Sequence, residues 1–526
     1  FRSADVPAED RTTYDMICRA DTLGVFQIES RAQMAMLPRL RPRNFYDLVI
    51  EVAIIRPGPI QGGMVHPYLR RRAGLEPVVY PSEAVRSVLE RTLGVPIFQE
   101  QVMQLAVVAA GFTPGESDQL RRAMAAWKRK GGLEKYYERI VGGMLKRGYD
   151  IGFAEQIFGQ IQGFGEYGFP ESHAASFALL AYASAYLKVH YPGAFYTALL
   201  NNQPMGFYHP ATLVKDAQRR GVRFQPIDVQ QSDWECRVEA DGAIRLGLRY
   251  VHGLRQDRGQ AMTAFDRTRT VAPPLLCTKC GSDDASLIEV VRETATARTC
   301  FCNICSHEWT VPLRTVGRFA SIEELVRQTG LRRDELTTLA DIGALNAFTH
   351  ERRSALWQVE QAVRPSGAMF ADASSTEPST PSGDSPLPVM TDDERLHADY
   401  AGTGLTIGPH PMALRREDLA MRGVLRAADL PQAREGRRVR VAGMVITRQR
   451  PGTAKGFVFL TLEDETGIAN IVVRPDVFAR ERLTVIRQPF LLIDGILQQQ
   501  DGVTAVRAER VQGIQGGAAV DAHDFY

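Results

Sequence analysis

The sequence predicts a multidomain α+β protein. It has a mainly helical part over residues 1–205, a mixed segment interrupted by a cysteine-bearing ribbon, and a small β-barrel near the C-terminal end. Three observations carry this prediction. Apolar residues recur at helical spacing through the first part. Four cysteines form two CxxC pairs, Cys277/Cys280 and Cys302/Cys305, with residues 281–301 between them. Five short alternating runs, VRVAGMVITR, FVFLTLED, IANIVV, FLLIDGILQ and VTAVRAERV, follow one another with Gly and Asp between them.

In chain order, FQIESRAQMAMLPRL (26–40) reads as a helix after Asp21 and Thr22, as do 83–93, 101–109 and 117–127. Pro57, Gly58 and Pro59 make RPGPIQGGM a shaped loop. Residues 243–251 alternate like a strand, and Gly253 opens a turn before a further helix. These belong to a segment at 206–270 that resumes at 315–363, around the ribbon at 271–314. Residues 364–395, rich in Ser, Thr, Pro, Gly and Asp, bury too little apolar surface to fold and read as a flexible linker. A connecting segment (396–435) leads to the barrel (436–515), for which five strands favour an OB-fold, and to a tail (516–526).

Composition narrows the class. Of 526 residues, 44% are hydrophobic and 24% charged, values of an ordinary globular protein. Net charge is only +2, so a nucleic-acid partner must be sought in local patches. No apolar run reaches the ~18 residues of a membrane span; residues 174–187 come nearest and contain Ser176 and Ser184. FRSADVPAED lacks the apolar core of a signal peptide. Paired cysteines clustered in one block point to metal in a reducing cytoplasm rather than to a disulfide scaffold. A chain that begins at Phe1 is expected to be a fragment or a processed product.

Five segments, GVFQIESRAQM (24–34), VAIIRPGPIQGGMVHPYLRRR (52–72), GVPIFQEQVM (94–103), DQLRRAM (118–124) and GEYGFPESHAASFALLAYASAYLKVHYP (165–192), closely resemble the fingers of C-family DNA polymerases, the bacterial polymerase III alpha-subunit type. FPESHA, NNQPMGFY (201–208) and QRPGTAKGFVFLTLEDETGIANIVV (449–473) resemble the error-prone, damage-inducible branch, with Glu171 where replicative relatives usually carry lysine. The resemblance implies helical fingers, a helix-hairpin-helix domain and a terminal OB-fold. It also implies template-directed nucleotidyl transfer to a primer in translesion synthesis.

A nucleotide site must hold a triphosphate, and Arg and Lys supply that field. Arg121 and Arg122 share a helix with Lys128, and 121, 125 and 128 fall on one face, so Arg121 and Lys128 can converge. A solvated basic face would look the same, and the resemblance favours phosphate contact. Arg56, between two apolar runs and PGP, needs a partner: a phosphate, or Glu51 or Glu29. Tyr167, Phe169 and His173 stand around a Gly-rich turn where an aromatic ring can stack on a base; the plainer alternative is a helix start capped by Ser172. GFGEYG (163–168) matches GxGxxG, but FAEQIFGQIQ before it reads as helix, which excludes a dinucleotide loop. The apolar helix after His173 reads as core.

The resemblance places the paired palm aspartates that bind Mg²⁺ outside this sequence, so no residue is assigned as catalytic and the chain alone is expected not to extend a primer. Helix-hairpin-helix units grip DNA backbone through amides at a glycine turn. Gly253 and LADIGALNAF (339–348) fit the two turns, while Arg255 stands where a second glycine is common and is a candidate phosphate contact. The ribbon block between them is foreign to the usual family pattern. Cys277, Cys280, Cys302 and Cys305 suit a closed structural Zn²⁺ site, with Cys300 or His307 as substitute ligands. In the barrel, Arg438, Arg440, Arg448, Lys455 and Phe457 are candidate contacts to single-stranded template, Arg437, Arg450 and Phe459 lie beside them, and at least one phenylalanine is core. GAMFAD (367–372) lacks the glutamine of a sliding-clamp motif, so clamp contact through accessory mutagenesis proteins is the expectation. The expected partners are thus primer–template DNA and a dNTP, with no membrane. The alternative is a non-catalytic nucleic-acid-binding protein, or a gene remnant, derived from such a polymerase.

Overall fold

Polar caps start many of the helices. The side chains of Ser30, Asn44 and Ser82 each accept a backbone N–H three residues on, and so begin α1 (Arg31–Leu40), α2 (Phe45–Ile54) and the helix Glu83–Leu89. The computed structural model describes residues 2, 5–56, 59–60, 63–130, 136–163, 170–271, 275–282, 284–294, 296–349, 351–363, 385–514 and 522–525, with backbone alone for 125–130, 269–271, 285, 314–316, 453 and 523–525. Lys128, Tyr167, Phe169 and GAMFAD therefore lie outside the described side chains. The chain divides into two units: residues 1–216 with 419–514 and 521–526, and residues 217–418 with 515–520.

In the first unit α2 is the central element. From Asp47 to Ile54 every residue on it is buried, so it is enclosed by its neighbours rather than lying on a surface. Two further helices, α3 (Val65–Arg72) and α4 (Pro114–Lys130), follow in this unit. α2 packs on the long α5 (Glu171–His190), which turns Ala174, Ala178, Ala181 and Ala185 inward. That spacing of three and four residues puts small side chains on one stripe and lets the two backbones approach. The opposite face of α5 is open, with Leu179 and Leu180 exposed, so only half of this apolar helix is core. Its N-cap is Pro170, not Ser172. Residues 26–30 form turns, and the helix expected at 26 starts at Arg31, because Ser30 caps it and Gln27 has a left-handed backbone (φ 68°).

Lys188, near the end of α5, has no solvent exposure. Its ammonium donates to Asp216 at 2.8 Å and to the Leu23 carbonyl at 2.7 Å, and the Tyr196 hydroxyl donates to the same aspartate at 2.5 Å. Tyr196 stands on α6 (Pro192–Asn201). Glu171, the residue that suggested the error-prone branch, accepts from the Tyr46 hydroxyl at 3.0 Å and from Arg91 at 3.1 Å. A lysine there would accept from neither.

The barrel belongs to this unit. Its strands are β1 (Arg438–Gln449), β2 (Val458–Glu463), β3 (Ile468–Val473), β4 (Phe490–Gln500) and β5 (Val503–Gly513). β1 pairs with β2, β2 with β3, β3 with β5 in parallel, β5 with β4, and β4 with β1, which closes the ring. The helix Pro475–Arg487 lies between β3 and β4 in sequence. This is an OB-fold, with all five expected strands present. β1 serves both halves of the ring, with a register shift against β2 between Val445 and Thr447, and at Gly443 an added Cβ would stand 2.8 Å from the Glu463 carbonyl oxygen. α1 meets the barrel: Arg31 donates to the Leu460 carbonyl at 2.8 Å and lies over the Phe459 ring, and Arg39 lies 3.8 Å from Asp501 in the β4–β5 turn.

In the second unit, the strand expected over 243–251 shrinks to Ile244–Arg245, followed by a short 3-10 turn at Leu248–Tyr250. Gly253 (φ 79°) precedes α7 (Gln256–Thr263), and after α8 (Ile322–Thr329) and α9 (Arg333–Asp341) comes Gly343 (φ 80°). Both hairpin turns thus use a left-handed glycine. The expected linker ends earlier than 395: Thr391 caps α10 (Asp392–Thr403), with Glu394 completing a capping box.

Replacing Lys188 with Met removes the cation paired with Asp216 and the bond that ties Leu23 to α5. Loss of one partner of a buried pair costs on the order of 3–5 kcal/mol. Urea unfolding of K188M is expected to show a loss of that size; a loss under ~1 kcal/mol would refute the role given to this residue.

Candidate functional site

The first unit contains a cavity of about 1100 Å³ where three stretches distant in sequence meet: the 24–33 turn and start of α1, the end of α2 with Arg56, and α5–α6 with the 202–208 loop. Its lining is mainly apolar, with Gln27, Ser30, Gln33, Asn202 and Gln203 as polar groups. Such a balance, apolar walls with a few placed hydrogen-bonding groups, is that of a small-molecule site.

Arg56 lines this cavity. Its Nε donates to the Val52 carbonyl at 3.2 Å. Glu51 is not its partner, because both Glu51 carboxylate oxygens are buried without a hydrogen bond, and burial raises that carboxyl well above its ordinary range. Glu29 faces the cavity. Burial lifts its carboxyl to about 7, against the backbone N–H groups of Gly24 and Phe207 and the charge of Lys188, all of which favour ionisation. Gly206 carries the 202–208 loop past this carboxyl in a left-handed backbone (φ 75°) that L side chains rarely adopt.

An aromatic row leads to the cavity. His173 lies 4.3 Å from Phe177, and Phe177 lies 5.4 Å from Phe26, a cavity-lining ring that is 38% exposed. Arg121 and Arg122, on α4, are not part of the lining; both hold Asp118, each at 2.8 Å, and Arg122 remains 73% exposed. The sequence names Arg56 and His173, and Glu29 only as a partner for Arg56, but does not single out Phe26, Gln33, Asn202 and Gln203. The motifs GVFQIESRAQM and NNQPMGFY contain them all, yet nothing in linear order says that residues 24–33 and 202–208 meet.

Several candidate DNA contacts make bonds within the fold. Arg448 is buried and donates to the Val485 and Gln488 carbonyls, both at 2.8 Å. Arg440 pairs with Asp494 at 2.7 Å. Arg255 grips Glu335 with two side-chain bonds of 2.8 Å and its own amide at 3.0 Å, joining α7 to α9. Burial opposes ionisation of Glu335, but Arg255 and the Arg332 amide hold it down at about 2. Arg255 is therefore a strut between α7 and α9. Arg438 pairs with Glu509 yet stays 82% exposed, Lys455 is exposed in the β1–β2 loop, and Phe457 is half-buried beside it. Phe459 is also only half-buried, with Arg31 over its ring, so neither phenylalanine is core; Val458 and Leu460 fill the barrel there instead.

The second unit carries a four-cysteine cluster. The strands Ile288–Glu293, Ala297–Cys302 and His307–Pro312 form an antiparallel ribbon. The sulfurs of Cys277, Cys280, Cys302 and Cys305 all lie within 4.8 Å of one another, with Cys277–Cys305 at 3.5 Å and Cys280–Cys302 at 3.7 Å. A tetrahedral ion with four sulfurs at ~2.3 Å needs sulfurs about 3.8 Å apart. Gly281 (φ 73°) and Ser306 (φ 52°) follow the two CxxC pairs, and their amides donate to the carbonyls of Cys277 and Cys302 at 2.9 Å each, which makes two matched knuckle turns. Burial would raise the Cys277 thiol, but the amides of Cys280 and Lys279 and the adjacent thiols lower it to about 6; burial and the other three thiols push Cys305 up to about 12. The cluster can hold a metal ion. Cys300 instead packs in the ribbon core, while His307 hydrogen-bonds Thr278 at 3.1 Å and stacks on Trp309, so neither takes a ligand's place.

Comparison with known proteins fits this architecture. The model of the bacterial DNA polymerase III alpha subunit finger domain matches residues 1–148, a helix-hairpin-helix motif matches 221–271, and an OB-fold nucleic acid binding domain matches 439–512. These domains in this order define a C-family polymerase chain of the polymerase III alpha type. Proteins named error-prone DNA polymerase match nearly the whole chain: 51% identity in Alkalilimnicola ehrlichii, 49% in Burkholderia pseudomallei and 48% in Pseudomonas aeruginosa, covering 99%, 100% and 99% of this chain. The chain belongs to the error-prone branch of the C-family polymerases, and it spans 46% of the length of each of these three relatives.

A raised carboxyl pKa favours the folded state only while the group stays protonated. The contribution of Glu29 is full below 4.5 and is lost as pH rises through about 7. Glu29→Gln is expected to remove this dependence, gaining ~3 kcal/mol over wild type by pH 8. Parallel thermal or urea melts from pH 5 to 8 check this, and parallel curves for the two proteins would refute it.

Proposed function

We propose that this chain is the fingers and C-terminal half of an error-prone DNA polymerase that carries out template-directed nucleotidyl transfer during damage-induced translesion synthesis. The observation that carries the reading is the cavity around Arg56. It unites GVFQIESRAQM, which resembles the C-family fingers, with NNQPMGFY, which resembles the error-prone branch, around one guanidinium and one aromatic row. In this reading Arg56 meets a phosphate of the incoming dNTP, with Arg121 and Arg122 supplying further positive charge. Phe26, backed by Phe177 and His173, offers a ring face to a base. Carboxylates contributed from beyond these residues would hold the paired Mg²⁺ ions. Gly253 approaches the backbone of the primer–template duplex, and Lys455, Phe457 and Arg438 contact single-stranded template. Reach to the sliding clamp is assigned to accessory mutagenesis proteins.

The polymerase reading is tested on the complete enzyme with Mg²⁺ and a primed template. Arg56→Ala is expected to lower kcat/KM for dNTP by about 10- to 100-fold, an effect typical of losing one charged phosphate contact. A complete enzyme without primer extension would overturn the function, whereas an unchanged kcat/KM would overturn only the place of Arg56.

The four-cysteine cluster is read as a structural zinc site, because four thiolates leave no open coordination position. One equivalent of zinc per chain is expected by elemental analysis. Chelation should expose the 275–312 backbone to hydrogen exchange, and Cys302→Ser should reproduce the exposure. Less than about half an equivalent in protein purified without chelator would remove the zinc assignment.

A further inference from the structure

A second cavity of the first unit, about 920 Å³, lies apart from the Arg56 site between the C-terminal ends of α1 and α3 and the β4–β5 turn of the barrel. Six arginines line it, Arg39, Arg41, Arg43, Arg70, Arg71 and Arg72, against two aspartates, Asp47 and Asp501, while Glu76 beside the lining pairs with Arg71 at 3.0 Å and Arg70 at 3.5 Å. Helix C-termini attract cations, which accounts for Arg39 and for the three arginines in the last turn of α3. Arg41 and Arg43 stand at and beyond the end of α1, both exposed, and neither forms an ion pair among the described residues.

The turn that carries them is built rather than loose. Arg72 donates to both oxygens of the buried Asp47 at 2.6 and 2.7 Å, and to the carbonyls of Leu40 and Arg41 at 2.7 and 3.2 Å. Asp47 also accepts the Arg43 amide at 2.8 Å. Arg41 itself is held in a left-handed backbone (φ 47°), a strained state for a branched-chain-sized side chain that the surrounding bonds maintain. Two guanidiniums without a carboxylate partner among the described residues, one of them donating to the Pro38 carbonyl at 3.2 Å, thus stand on a clamped turn inside a cavity of excess positive charge, an arrangement that an anion of several charges would relieve. One wall of the cavity is the Gln500–Asp501 turn of the OB-fold, so an extended polyanion seated there continues along the barrel.

We propose that this cavity seats the phosphodiester backbone of a single DNA strand passing between the fingers and the barrel. The proposal rests on the reading that the chain handles DNA. The full 526-residue chain is titrated against a labelled 20-mer of deoxythymidine over a range of salt. The same titration follows for Arg41→Ala/Arg43→Ala, and for Arg86→Ala/Arg327→Ala as a variant of equal net charge. Each strand phosphate contact contributes about 0.7 to the slope of log affinity on log salt. The Arg41/Arg43 variant is expected to lose about 1.4 of slope and about tenfold or more in affinity at low salt. The control variant is expected to keep most of both. A slope unchanged in the Arg41/Arg43 variant overturns the site, and so does an equal loss in the control. An equal loss on blunt duplex overturns the single-strand assignment. Wild-type chain that binds no DNA at all overturns the DNA-handling reading itself. Circular dichroism melts of both variants separate loss of binding from loss of fold.

Discussion

A single buried charge organises the fingers. Lys188 has no contact with water, and an ammonium so placed is tolerable only with its donors used. It spends them on Asp216 and on the Leu23 carbonyl. That second bond ties the 21–30 turn to α5, the helix whose inner face holds the buried α2. Phe26, Glu29 and Ser30 come from the tied turn, Leu180 and Ser184 from the helix, and Arg56 from just past the end of α2. The cavity is therefore a by-product of where one lysine finds its partners. The same charge acts on Glu29, so the stability of the packing and the ionisation of the cavity wall are linked.

Much of the architecture was legible. Alternation at 439–511 revealed five strands because each has one face in the barrel core. The cysteine pairs revealed a compact cluster because knuckle turns impose a fixed local spacing. Helix starts were less legible. The apolar pattern at 26–40 runs straight through Gln27 and Ser30, and only the backbone sign at Gln27 and the Ser30 cap show that the helix begins later. Residues 243–251 alternate but stop pairing after Arg245, because a 3-10 turn consumes Leu248–Tyr250.

Charge was the hardest thing to read. Arg255, Arg440 and Arg448 look like any surface arginines in sequence, yet each is spent on a carboxylate or on backbone carbonyls. Their partners, Glu335, Asp494, Val485 and Gln488, lie 37 to 80 positions away, a separation that no periodicity reports. Arg41 and Arg43 drew no notice in RPRNFYDL, and their standing comes from the clamp that Arg72 and Asp47 build around them.

The bond from Arg31 to the Leu460 carbonyl joins residues 429 positions apart. Between them in the chain lies the whole stretch 217–418 that makes up most of the second unit. A ribosome releases residues in order, so that unit is exposed, and free to fold, before the strands that complete the first one have been made. Until then the barrel-facing side of α1 waits uncovered, with the Arg31 guanidinium still hydrated. The closure cost of so long an intervening segment rises only logarithmically with its length, and the segment is shortened by folding on its own. The order of synthesis thus favours an inserted unit that is self-sufficient, and it leaves the barrel-facing side of α1 among the last surfaces of the first unit to be covered.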